Sequence, residues 1–145
     1  MDDGEHRPRI LVSNRQPSRI DEEGLVRLGG ECLAGEGAGA CELSVSFVTA
    51  EEMAELHLRY LDEEGPTDVL SFPLDDVDED GVRILGDVVI APEVAAGNNP
   101  ADPGSELRLL LVHGILHLLG HDHEEKEERA QMWALQERYT GVRVP

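Results

Sequence analysis

The sequence predicts an α+β fold built as one domain, residues 1–145. Strand-like segments are mixed along the chain with helices, and one of those helices is apolar enough to lie buried at the centre. A chain of 145 residues buries about two-thirds of the surface it exposes when unfolded. One core is therefore sufficient, and neither a disulfide nor a metal is needed merely to fold.

Each element has a local cause. The segment 1–8 is expected to be flexible, and RILV at 9–12 to form a short strand. Between 21 and 37, Leu25, Leu28, Cys32 and Leu33 recur with helical spacing, although several glycines interrupt the pattern. In CELSVSFV (41–48), Leu43, Val45 and Phe47 alternate with polar neighbours, as in a half-buried strand. Thr49 and Glu52 form a capping box that opens a helix over 49–65, with Gly65 as its end. PTDVLSFP (66–73) reads as a short strand enclosed by prolines, its ends at an edge or turn because proline cannot donate to a central ladder. LDDVDEDG (74–81) reads as an acidic loop. ILGDVVIAP (84–92) is a further strand, and Pro92 suits the first position of a short helix. After the loop at 97–104, Ser105 is the expected cap of the helix ELRLLLVHGILHLLG, and Gly120 its stop. Residues 124–139 form the last helix.

Charge restricts the partners. The chain carries 31 acidic and 12 basic residues, a formal net charge of −19. Such a surface repels anionic membranes and naked nucleic acid at long range, so contact with nucleic acid requires a local basic patch or bridging metal ions. The two cysteines, Cys32 and Cys41, are too few for a disulfide framework and are expected to be reduced and structural. The first ten residues have no apolar run, and no stretch approaches the roughly 20 apolar residues that span a bilayer. A cytoplasmic protein is the expectation.

Chemistry concentrates in HGILHLLGHDH, residues 113–123. His113 and His117 are four apart and project from one helical face, so both ring nitrogens reach one ion. Gly120 permits a left-handed turn that returns His123 to the same ion. H-x-x-x-H-x-x-G-x-x-H is the ligand spacing of metzincin zinc sites, and three protein ligands leave the open position of a catalytic centre. A pair of histidines alone would be weak support; the glycine turn and third histidine make the pattern specific. Zinc suits three imidazoles best, while nickel, copper and iron accept the same donors. His121 is expected to be a loop residue outside the ligand set. Gly114 stands where a zinc peptidase carries its glutamate base, which disfavours that chemistry. Asp122 is the nearest carboxylate in sequence able to act as a base; its alternative role is a turn residue or a partner of a ligand histidine. Asp68 and Asp87 can also approach the site from the strands, although roles as caps or surface residues are the expectation.

Three stretches, PTDVLSFP (66–73), LGDVVIAPEV (85–94) and HGILHLLGHDH (113–123), resemble the YbeY family in order and spacing. These are bacterial rRNA maturation factors described as single-strand-specific endoribonucleases. The resemblance covers residues 41–140 and implies a zincin-like α+β domain, with a mixed sheet and a central metal-binding helix. It also implies one Zn²⁺ on His113, His117 and His123, and cleavage of single-stranded RNA, with roles in 16S rRNA 3′-end maturation and ribosome quality control. Two positions depart from the family: His121 replaces a common tyrosine, and Leu61 occupies a place where arginine is frequent. Arg59, a candidate phosphate contact whose preferred role is a surface salt bridge, lies two residues earlier and about 200° round the helix, so it cannot simply replace that arginine. The acidic charge suits docking on a small-subunit ribosomal protein or an assembly GTPase, with neither DNA nor membrane as partner. A ribosome-assembly factor that works by binding, its metal structural, is the rival expectation, and a peptidase the third.

Overall fold

A computed structural model describes residues 7–142; most of the expected flexible segment, residues 1–6, lies outside the described residues. The chain runs β1 (Arg9–Asn14), α1 (Glu22–Gly35), β2 (Cys41–Phe47), α2 (Ala50–Leu61), β3 (Val69–Val77), β4 (Arg83–Ile90), α3 (Pro92–Asn98), α4 (Pro103–Leu118) and α5 (Lys126–Thr140). The strands form one mixed sheet in the order β1-β2-β4-β3. β2 is parallel to β1 and β4, and only β3, at the edge, runs antiparallel. The expected α+β domain with a mixed sheet is what forms.

Alternation decides which face each strand buries. Leu43, Val45 and Phe47 of β2 join Val88 and Ile90 of β4 in a core with Leu28, Cys32 and Leu33 of α1 and Met132 of α5. α4 runs through this core, with Leu111, Ile115 and Leu116 almost fully buried. Each such side chain contributes roughly 1.5–3 kcal/mol relative to exposure. On the other face, Met53 of α2 packs with Leu70, Val89 and Ala91 in a smaller cluster. Cys32 and Cys41 are free and buried, and burial pushes the Cys32 thiol up to about 12, with the nearby Glu36 carboxylate adding to the shift. Among the described residues, no helix is long and apolar enough to cross a membrane.

Three local expectations need correction. The acidic segment after Pro73 is not all loop: β3 continues through Pro73 to Val77. Proline is tolerated because β3 is an edge strand, and the register shifts between Pro73 and Asp76. Gly86 sits opposite with φ 134°, where a Cβ would lie 2.1 Å from the Phe72 carbonyl oxygen. The cap of α4 is Asp102, whose carboxylate accepts from the Ser105 backbone N–H; Ser105 lies in the first turn, after Pro103. A proline at the helix start moved that boundary earlier than Ser105 suggested. Finally, α2 ends at Asp62, in the left-handed conformation at φ 55°, before Gly65 is reached.

Candidate metal centre

α4 carries the first two histidines at the edge of its buried stripe. His113 and His117 are half-buried while Val112, Gly114, Ile115 and Leu116 between and beside them are buried. The chain then leaves the helix through Gly120, at φ 101°, with its N–H donating to the His117 carbonyl and the His121 N–H to the Leu116 carbonyl. These bonds satisfy carbonyls that a helix end would otherwise leave open. Three residues later His123 faces its two predecessors.

The three histidines are positioned to bind a metal ion. One ligand nitrogen from each lies within 4.8 Å of the others. The Nε2 atoms of His113 and His117 are 3.1 Å apart. Ring centroids are separated by 4.6 Å (113–117), 5.0 Å (117–123) and 5.5 Å (113–123). His113 Nδ1 donates to Gln136 Oε1 at 2.7 Å, which fixes the tautomer and leaves the Nε2 lone pair pointing at the cluster. Burial lowers the His113 pKa, against the raising effect of that hydrogen bond, and His123 lowers it further. His117 is lowered by burial and then by its two histidine neighbours. Neutral imidazoles are the form that coordinates metal, so the donor set fits a single divalent ion. Trp133 of α5 lies against the cluster, 5.7 Å from His123 and 6.1 Å from His113 between ring centroids.

The histidines open into a cleft of about 460 Å³, also lined by Leu61, Asp68, Val69, Ser71, Pro73 and Leu118. That volume lies in the range of small-molecule sites. β3 forms one wall because α4 approaches the sheet closely at Gly114. The Ser71 hydroxyl donates to the Gly114 carbonyl at 3.1 Å, and a Cβ on Gly114 would fall 2.7 Å from Val88 Cγ1. The glycine in place of a glutamate is thus a packing requirement of this helix against β4.

A family model described as Endoribonuclease YbeY matches residues 12–141. The chain belongs to the YbeY family. A YbeY endoribonuclease of Streptomyces coelicolor is 43% identical over 140 residues, covering 88% of this chain and 85% of that one. The Mycobacterium tuberculosis protein of the same name is 41% identical over 141 residues, covering 89% and 80%. The solution structure of TM1509 from Thermotoga maritima superposes with a TM-score of 0.61 at 29% identity, covering 90% of this chain and 86% of that one.

Within this YbeY chain the other sequence candidates scatter. Asp122 Oδ1 accepts from the His123 backbone N–H at 2.7 Å, so its carboxylate braces the third histidine; it is not among the residues lining the cleft. Arg59 is exposed and also lies outside that lining. His121 turns away to Glu36, at 3.4 Å, whose other carboxylate oxygen accepts from the Tyr139 hydroxyl. Asp87 is exposed on β4. Asp68, expected as a cap or surface residue in preference to approaching the site, lines the cleft and accepts from Asn98 Nδ2 at 3.2 Å. Gln136, Trp133 and Ser71 went unread in the sequence. For Gln136 a signal existed: it lies four residues after Met132, on the buried stripe of the last helix, where a polar side chain needs a partner.

Proposed function

We propose that this protein is a metal-dependent endoribonuclease cutting single-stranded RNA, acting in the cytoplasm in 16S rRNA 3′-end maturation and ribosome quality control. The observation that carries this reading is the convergence of three imidazoles in an open cleft, in a chain whose relatives are named endoribonucleases. His113, His117 and His123 would hold one ion, and zinc suits three imidazoles. When bound, such an ion acidifies water to a pKa of about 7 and polarises a phosphoryl oxygen.

The chain's own groups do the remainder. Gln136 holds His113 in one tautomer, and the Asp122 Oδ1 bond fixes the backbone of His123. In this reading Asp122 Oδ2 is the atom that takes a proton from the attacking water, as a general base. Asp68 and Ser71, on the opposite wall, contact the substrate. Recognition of the precursor comes from docking on a small-subunit ribosomal protein or an assembly GTPase, because −19 of formal charge leaves little attraction for naked RNA. Arg59 is a secondary phosphate contact at the margin.

The same charge, and the lack of any Lys or Arg among the described residues lining the cleft, favours one rival: a non-catalytic assembly factor with a structural metal. One comparison separates them. Cleavage of a 16S precursor is measured as naked RNA and within pre-ribosomal particles, using wild type, chelated and metal-reloaded protein, and His117→Ala. Metal-dependent cleavage that is stronger in the particle supports the proposal. Maturation that survives undiminished in His117→Ala supports the binding-only role.

A further inference from the structure

All the large exposed apolar side chains among the described residues, except Leu11, come from the end of α2 or from β3: Leu58, Tyr60, Leu61, Leu74 and Val77. Tyr60 is 57% exposed, and its ring stands edge-on to Phe72 with centroids 5.2 Å apart at 67°. Phe72 is itself braced from below by the Met53–Leu70–Val89 cluster. The Tyr60 hydroxyl makes no hydrogen bond among the described residues, so contact with Phe72 is what holds the ring. The chain neighbours of this pair, Leu61 and Pro73, both line the histidine cleft. Leu61 carries the exposed end of α2 to the cleft, whereas Phe72 lies on the opposite face of β3 from Ser71 and Pro73.

We propose that Tyr60, held edge-on by Phe72 one residue before the cleft-lining Leu61, is a stacking platform for an unpaired base of the RNA substrate. This rests on the endoribonuclease reading and gives its single-strand selectivity a residue. A polyanion meets no Lys or Arg among the described residues of the cleft lining, and the chain as a whole repels it. Attachment near the site must then come largely from uncharged contacts, and a base face on an aromatic ring is the strongest that RNA offers. A duplex hides those faces, whereas an unpaired strand presents them. A ligand covering Tyr60 and Leu61 continues into the cleft beside His117, which an extended strand can do and a folded partner's surface cannot.

The test compares wild type, Tyr60→Phe and Tyr60→Ala, each with metal content and thermal melt checked against wild type. Cleavage of an unstructured single-stranded RNA gives KM and kcat. Anisotropy on a His117→Ala background gives Kd for the same RNA, its duplex and an abasic version. Tyr60→Ala is expected to raise KM and Kd about tenfold or more, with kcat within about twofold, while Tyr60→Phe stays near wild type. The abasic strand should bind as weakly to the unchanged ring as normal RNA does to Tyr60→Ala. Unchanged KM and Kd in Tyr60→Ala, with wild type still cutting single strands, would overturn the platform and leave the endoribonuclease reading standing. Absence of any cleavage by metal-loaded wild type overturns both. A wild-type dimer that Tyr60→Ala converts to monomer, with KM unmoved, would make the face an interface between copies and also overturn the platform.

Discussion

Replacing Gly114 by alanine places a Cβ 2.7 Å from Val88 Cγ1 and 3.2 Å from Ser71 Oγ. The first contact is about 0.8 Å short of ordinary carbon packing at roughly 3.5 Å. Val88 cannot retreat easily: it is fully buried, β-branched, and set in β4 between β2 and β3. Overpacking of this kind costs about 1–3 kcal/mol. Removing a glycine from a helix interior returns about 1 kcal/mol. The net expectation for Gly114→Ala is a loss of about 0–2 kcal/mol. Gly30, inside α1, is the matched control, because a Cβ there meets no heavy atom within 4 Å. Gly30→Ala should therefore gain the helix term alone, about 1 kcal/mol, or about 3 °C in Tm for a chain of this length. The assay is thermal and urea denaturation with excess chelator, which removes any contribution from bound metal. Adding Val88→Ala to Gly114→Ala should recover part of the loss, a coupling above about 0.5 kcal/mol. A Gly114→Ala protein that melts as far above wild type as Gly30→Ala would refute the close-approach argument. Glutamate at the same position demands far more room, so Gly114→Glu is expected to fold poorly and to create no peptidase.

Four further outcomes follow from the site. Elemental analysis should find one transition metal per chain in wild type and in His121→Ala, and none in His117→Ala; full occupancy in the last would remove His117 from the ligand set. Gln136→Leu leaves His113 Nδ1 without its acceptor and should weaken metal binding about 10–100-fold in a chelator competition, with the fold intact. Asp122→Asn should keep the metal and lower the cleavage rate about 10²–10⁴-fold; a wild-type rate at full metal would confine Asp122 to bracing His123. Because burial lowers the pKa of His113 and His117 from 6.5, the unfolded chain binds protons more readily than the folded one just below that value. Metal-free protein should thus hold this part of its stability above pH 6.5 and lose it as the pH falls towards the folded pKa values. Urea midpoints between pH 7.5 and 5.5 test this, and a His113→Ala/His117→Ala variant should show a shallower slope.

What the sequence determined by itself was local. Histidines at i and i+4 share a helical face because of the helix pitch, and Gly120 can turn the chain because it lacks a Cβ. Those two facts were enough to bring His113, His117 and His123 together before any packing was known. The Thr49 cap of α2, which accepts from the Glu52 N–H, and the proline start of α3 were legible for the same reason, since both depend on residues adjacent in sequence. The Glu52 carboxylate, read as the other half of a capping box, bonds Arg15 instead. Boundaries failed where two local signals competed, as at Ser105 against Asp102 and Pro103, or where a partner strand overrode composition, as in LDDV. The rest of the site required tertiary structure. Gln136 meets His113 across 23 positions and Ser71 meets Gly114 across 43. Tyr60 finds Phe72 only because α2 and the edge strand pack on the same face. Such pairings depend on where whole elements come to rest, and the helix pitch and strand alternation within each element carry no record of it.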